Sequence, residues 1–554
     1  MFHSFSIFRF VAIFTLFICL LTKNSYAQEN LQDKQLIIEK NKLIELPKVT
    51  RNPLRLPKED FKVPAKTADY DVTSSQMLLA PLTIQNASAI KLITEEKTTT
   101  IYQNYVKGGL GNYTTLFGEV FLQTPQHEDY SLSLFATHLS SANGSVANEK
   151  SGNSRTQIGL QGDYKLSERS KVLGKIQYNR IGTNYYGYAD EVLRNFSQEQ
   201  ISQTYNNLNF LAAYHATPNE KINYQIQTQY NYFSTKTEAN ETTFRLDTKF
   251  NYTINKTSTV DISFDANFAN RKDQSRIARN LVHLSPTYRL KADNFNLVLG
   301  TNLVYDGDTL SQNNKFRIYP HIEVHYNIAT NHAIYTVFTG NTLQTSLQQF
   351  ATENNFIGNN ISLLHTNKQW EVILGLQGNL TSKIGYHLKG SYAQYKNLYF
   401  FNNSQADTAK FDVFYDTEGT KVFHIGTDIE AKLSEKLKVA WTMGFFAYNT
   451  ESLANAWHRP NLVNSFIVSS QLIEKLQFRA ELYNQIGLRG YNFIRQETYN
   501  LPVIFDLNLQ GDYQITSSII AFAKLNNIFS QPYQPFLYYQ MQRFNALIGV
   551  MWRF

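Results

Sequence analysis

The sequence predicts an all-β fold, a transmembrane antiparallel β-barrel of about 22 strands with short turns at one end and long loops at the other. Three observations predict it. Apolar and polar residues alternate over runs of about ten. Short polar turns recur at near-regular intervals. Beyond an N-terminal processing signal, no apolar run approaches the ~20 residues of a spanning helix, so insertion must use strands. Composition agrees. Aromatic residues make up 14% of the 554 residues, with 35 Tyr and 38 Phe, yet mean hydropathy is −0.36. Strands that show one face to lipid and the other to water need that mixture.

The N-terminus reads as a signal peptide, residues 1–27. Arg9 supplies the positive region, and Phe10 to Leu21 is an apolar stretch too short to span a bilayer. Ser25-Tyr26-Ala27 places small residues for cleavage before Gln28. The single cysteine, Cys19, lies inside the apolar stretch, so the mature chain is expected to carry no disulfide and no thiolate metal site. The formal charge of +7 falls to +5 once Arg9 and Lys23 are removed. No Lys/Arg block suggests nucleic acid.

Residues 28–100 form a different segment. Pro47, Pro53, Pro57, Pro64 and Pro81 fall here, 5 of the 13 prolines. Proline lacks an amide donor and restrains its neighbour, so the segment reads as an extended periplasmic stretch and a partial plug.

The barrel is expected over 101–554. Ile222, Tyr224, Ile226, Thr228, Tyr230 and Tyr232 interleave with Asn and Gln; Phe244 to Tyr252 and Val260 to Phe268 do the same with charges. Turns fall near 124–128, 166–170, 217–221, 254–257, 291–294, 327–331, 381–383, 433–435, 472–475 and 514–517, with longer loops at 141–153, 186–202, 342–367, 403–419 and 490–502. Ten turns imply eleven hairpins, hence about 22 strands. The last strand ends the pattern: Phe544, Ala546, Ile548, Val550, Trp552 and Phe554 alternate with more polar positions. Phe544, Ile548, Val550, Trp552 and Phe554 are the expected C-terminal assembly signal, read by outer-membrane insertion machinery.

Leu525-Asn526-Asn527-Ile528-Phe529 followed by Tyr533, and Gly549-Val550-Met551-Trp552-Arg553-Phe554, resemble the penultimate and closing strands of TonB-dependent receptors. The resemblance implies an outer-membrane receptor barrel with an N-terminal plug and a TonB-binding box. Only 73 residues, 28–100, precede the barrel. A complete plug does not fit there, and Leu43-Ile44-Glu45-Leu46 is a poor box, which puts coupling to TonB in doubt.

Three residue sets are candidate sites. His321, Glu323 and His325 share one strand face and offer imidazole and carboxylate ligands, but i and i+2 lie ~7 Å apart, wide for one ion; a polar lumen wall is the preferred reading. Arg245, Asp247, Lys249, Asp261 and Asp265 are expected on the lumen wall, with Lys249 near Asp261 and Arg245 near Asp265 across the 254–257 turn. Tyr185, Tyr186, Tyr188, Tyr399, Phe400 and Phe401 are expected at the outer ends of strands, as an interfacial girdle or as stacking groups for a planar ligand. No nucleophile elbow, zinc-protease, P-loop or Rossmann pattern occurs. The expectation is no cofactor and no enzyme, but a barrel in the outer membrane that moves or helps move a solute. The alternatives are an anchor for a periplasmic or surface partner, with 28–100 engaging a periplasmic protein, and a surface ligand-capture protein.

Overall fold

The structure, a computed structural model, describes residues 104–554 apart from 126 and 310–314. The expected signal peptide, the 28–100 segment and the candidate TonB box lie outside the described residues.

Strands with one apolar face cannot leave an unpaired edge in lipid, because each unsatisfied backbone group there costs several kcal/mol. The sheet therefore closes. Twenty-two antiparallel strands form one sheet, and the first, Tyr105–Gly111, pairs with the last, Asn545–Arg553. The closure is completed below the strands, where Asn104 and Phe554 exchange backbone hydrogen bonds of 2.9 and 3.3 Å.

Alternation sets the faces. Leu110, Leu116, Phe210, Phe244, Leu299, Leu374 and Ile548 are exposed on the outside, where lipid would cover them. Between them, Lys107, Glu119, Asn207, Glu371, Asp506 and Asp512 are buried on the inside. The Ile222–Thr235 strand follows this rule, with Ile226, Tyr230 and Tyr232 outward. All ten expected turns connect adjacent barrel strands at one end. At that end Tyr130, Tyr164, Tyr252, Tyr288, Tyr326 and Tyr513 stand exposed within a few residues of a turn, as an aromatic girdle at a membrane interface would.

The structure adjusts four local expectations. The 254–257 turn is wider than expected: Thr253 pairs with Thr259, so Lys249 faces Ser263 and Asn251 faces Asp261. Asp261 instead meets Arg289 of the next strand, at 3.2 Å. The loop expected at 403–419 starts at 397 and carries its own hairpin, Leu398–Asn403 with Phe411–Asp416, outside the barrel wall. A second small hairpin, Arg489–Asn492 with Glu497–Asn500, fills another loop. The Leu525–Phe529 motif is only partly strand. Its strand, Ile519–Asn526, stops because Asn527 takes φ 46° and bonds sideways.

At the closing seam Gly109 pairs with Gly549, and the Phe522 ring packs over both. A Cβ on Gly549 would meet the Gly108 carbonyl oxygen and lie 2.5 Å from Phe522. Gly549→Val is therefore expected to hinder closure, with overpacking of about 1–3 kcal/mol or more. Gly174→Ala, where a Cβ meets nothing within 4 Å, should be tolerated. The check is the fraction of each variant that keeps the folded, heat-modifiable gel mobility.

Candidate functional site

The long connections all emerge at the end opposite the short turns. Their sequences hold too many apolar residues to stay solvated, so they collapse on one another. Loops following the fifth and the fifteenth barrel strands start on opposite sides of the ring. They nevertheless meet: Tyr188 Oη donates to Asp407 Oδ2 at 2.9 Å. The loops thus bridge over the lumen. Tyr185, Ile201, Phe350, Phe356, Phe401, Phe411, Phe536 and Tyr539 share one buried core there, joined by Tyr205 and Phe233 from the inner wall. Phe356 stacks on Tyr539 at 3.6 Å, and Phe411 meets Phe536 edge-on at 5.2 Å. Each such pair contributes ~0.5–1.5 kcal/mol beyond its buried area.

Loop 344–365 is the centre of this cap. It carries a short helix, Leu347–Glu353, whose Ser346 side chain caps the Gln349 amide at 3.0 Å. The barrel wall holds it by buried charge. Both Glu241 carboxylate oxygens accept from the Leu347 amide at 3.1 Å. Arg279, 1% exposed, pairs with Asp308 at 2.9 Å and donates to the Thr345 carbonyl at 2.7 Å. Its Nη2 also faces His365 Nδ1 at 3.1 Å, which accepts from the Thr345 amide too. Nδ1 must then be unprotonated, and burial with the Arg279 charge keeps the His365 pKa well below its ordinary value. Arg271 donates to the Ile361 carbonyl. Removing one partner of such a pair costs ~3–5 kcal/mol, because the other stays buried and unpaired.

A second latch joins the loops to each other. Glu353 at the helix end pairs with Arg459 at 3.2 Å and accepts from Tyr399 Oη at 2.6 Å. Arg459 lies over the Tyr399 ring at 4.7 Å and donates to the Tyr399 carbonyl. Burial pushes the Glu353 carboxyl up, against the pull of Arg459. The neighbouring His458 ties three loops: Nδ1 contacts the Phe401 carbonyl at 2.8 Å, and Nε2 accepts from the Leu537 amide at 3.1 Å. That pattern requires the neutral tautomer with the proton on Nδ1. The last long loop is pinned by Asn527, whose amide donates to Asp506 at 3.0 Å while its side chain donates to the Gln531 and Gln542 carbonyls.

The six candidate aromatics occupy neither place expected of them. Tyr185, Tyr399, Phe400 and Phe401 are 4% exposed or less. Tyr185 and Tyr186 donate to the Ile357 and Gln540 carbonyls. They build the cap rather than a girdle or an open stacking surface, because their loops turn inward instead of continuing the wall. Arg245, Asp247 and Asp265 form an inner-wall cluster, with Arg245 at 3.0 Å from Asp247 and 2.6 Å from Asp265. Lys249 faces the same interior one register step away. Glu323 sits between His321 and His325 at 3.1 and 3.6 Å, and the His325 ring stacks on Tyr335. Among the described residues no group of three or more His, Cys, Asp or Glu is placed to hold a metal ion. Phe544, Ile548, Val550, Trp552 and Phe554 are all exposed on the outside. Glu241, Arg279, Glu353, His458 and Arg459 escaped sequence reasoning. For Glu353, His458 and Arg459 the one signal was ionisable residues inside aromatic-rich loops, as in Trp457-His458-Arg459-Pro460, whereas Glu241 and Arg279 lie in strands.

Burial against Phe411 and Phe536 lowers the His458 pKa from 6.5 to about 4. The neutral form is the one the loops hold, so its contribution is whole above pH 6.5, declines below that, and is gone below about pH 4. The full loss is about 3 kcal/mol at ~1.4 kcal/mol per pKa unit. Hydrogen exchange of residues 397–419 and 527–544, taken relative to the intrinsic base-catalysed rate at each pH, should therefore rise as pH falls through this window. In His458→Ala it should be raised already at pH 7 and change less with pH.

No family model matches the chain, and no curated protein matches it in sequence. Solved structures do match in fold. The ferripyoverdine receptor of the outer membrane of Pseudomonas aeruginosa, bound to ferripyoverdine, superimposes with a TM-score of 0.61 at 13% identity, covering 83% of this chain and 73% of that one. The siderophore receptor PirA from Acinetobacter baumannii gives 0.64 at 10% identity, covering 83% and 82%. The FrpB iron transporter from Neisseria meningitidis gives 0.65 at 8% identity, covering 81% of each chain. The likeness is one of fold: the chain has the closed 22-stranded barrel of these receptors, as its terminal-strand resemblance to TonB-dependent receptors implies.

Proposed function

We propose that this protein is a receptor-like barrel of the outer membrane that moves, or helps move, a solute across it, without catalysis. The observation that carries this reading is the cap. A polar lumen inside a 22-stranded ring is a wide path. Here its outer end is crossed by loops latched to one another, from opposite sides of the ring at Tyr188–Asp407 and between nearer strands at Glu353–Arg459. A purely structural anchor needs no such latch over its lumen. The neighbours in fold are named as receptors and a transporter, which supports the same reading.

Residues 28–100 belong to this proposal as a partial plug. The first strand begins at Tyr105, at the short-turn end, so the preceding chain reaches the barrel at the periplasmic mouth. Arg51, Arg55, Lys58 and Lys62 give the segment the charge to meet acidic groups of the inner wall, in competition with the wall's own pairs such as Arg245–Asp265 and Arg289–Asp261. TonB coupling is not part of the proposal.

The test is conductance in planar bilayers of three forms: intact, lacking 346–363, and lacking both 346–363 and 28–100. The expected order is intact lowest and the double deletion highest, with folded gel mobility kept in all three. If the double deletion conducts no better than the intact protein, the transport reading fails, and the anchoring or ligand-capture reading takes its place.

Phe554 is proposed as part of the assembly signal. Its removal should lower folded yield more than Phe264→Ala, which costs only local outer-face contact. Equal yields would remove that role.

A further inference from the structure

A hollow lies beside the cap, between the strand Leu437–Thr450, the loop 451–461 and the turn at Gly487. Its volume is about 220 Å³. We propose that it binds a small hydroxylated ligand through an oxyanion, a carboxylate or a phosphate.

The lining is the argument. Two guanidiniums, Arg459 and Arg489, share the wall with Asn455, Asn461, Thr450 and Tyr448, and no aspartate or glutamate lines it. Glu353 offsets Arg459 by pairing at 3.2 Å, whereas Arg489 makes no ion pair among the described residues. One Arg489 arm donates to Asn455 Oδ1 at 2.8 Å; its other N–H groups remain for an oxyanion, which suits the guanidinium's planar donor fork. The positive charge of this wall thus exceeds its negative charge.

The accessible donors of the wall are the Arg489 N–H groups that Asn455 does not hold and the Asn455 side-chain amide. The backbone also makes room. Gly487 has φ 91°, and a Cβ there would collide with the Asn461 side chain, which donates to the Phe446 carbonyl at 3.0 Å and holds its Oδ1 against Gly487. The space exceeds what a bare oxyanion fills. The amides of Asn455 and Asn461 and the Thr450 hydroxyl are groups that bond hydroxyls, so the remainder of the ligand is a small polyol.

The site does not rest on the transport proposal, and its test reads binding alone. Isothermal titration of the full detergent-solubilised chain would compare glucuronate, glucose 6-phosphate and glucose. One anionic sugar should bind about tenfold more tightly than glucose, and R489Q should bring it to the level of glucose. Which anion binds identifies the oxyanion. R489Q leaves the Glu353–Arg459 latch intact, and unheated gel mobility checks that it is folded. If neither anion binds better than glucose, or if folded R489Q binds as the unaltered chain does, the proposal is overturned.

Discussion

Everything in this molecule depends on closing a hydrogen-bonded ring where no water can pair a loose edge. The seam between Tyr105–Gly111 and Asn545–Arg553 meets that demand with seven paired residues on the first strand. Side chains there are kept small where two backbones meet, at Gly109 opposite Gly549. Closure also makes the alternation obligatory. Once the ring is closed, each strand has one face toward the exterior and one toward the lumen, and a slip of one residue would exchange them.

The ring creates a second problem, a wide polar interior with loops standing over it. The long connections solve it as a soluble domain would, by pooling aromatic residues from distant parts of the chain into one core. Their attachment to the wall is electrostatic. Glu241, Arg279 and Arg271 lie on inner strand faces and hold the backbone of loop 344–365, with Arg279 also reaching the Thr345 and His365 side chains. Charge buried this way is costly unless fully paired. That makes the attachment specific to one loop path, and it makes the latch residues the places where the cap is sensitive to substitution or protonation.

His458 and Glu353 show how cap and chemistry meet. Both lie in loops and touch groups far away in sequence: Phe401 and Leu537 for the histidine, Tyr399 and Arg459 for the carboxylate. Their altered ionisation follows from burial first, opposed by the Arg459 charge for the carboxylate and by the hydrogen bond to the Phe401 carbonyl for the histidine. The hollow beside Arg459 uses the other side of the same arrangement, since the residue that latches the cap also forms its wall.

The sequence alone determined the ring. Period-two alternation assigned the inward and outward faces of strands such as Ile222–Thr235, and the spacing of ten turns yielded the strand number, because both are local consequences of strand geometry and of a membrane's thickness. It also placed Phe554 at the end of the outer-face pattern. The register across the 254–257 turn was less legible, since one or two residues of turn width shift every partner, and a turn's width depends on its hydrogen bonds. The tertiary structure alone decided the cap. Tyr185, Tyr399 and Phe401 carry the same aromatic signature whether they face lipid, ligand or one another. Glu353 and Arg459 stand 106 residues apart, and Tyr188 and Asp407 219 apart. No local pattern encodes such pairs; they exist because a closed ring brings the tops of non-neighbouring strands within reach of one another.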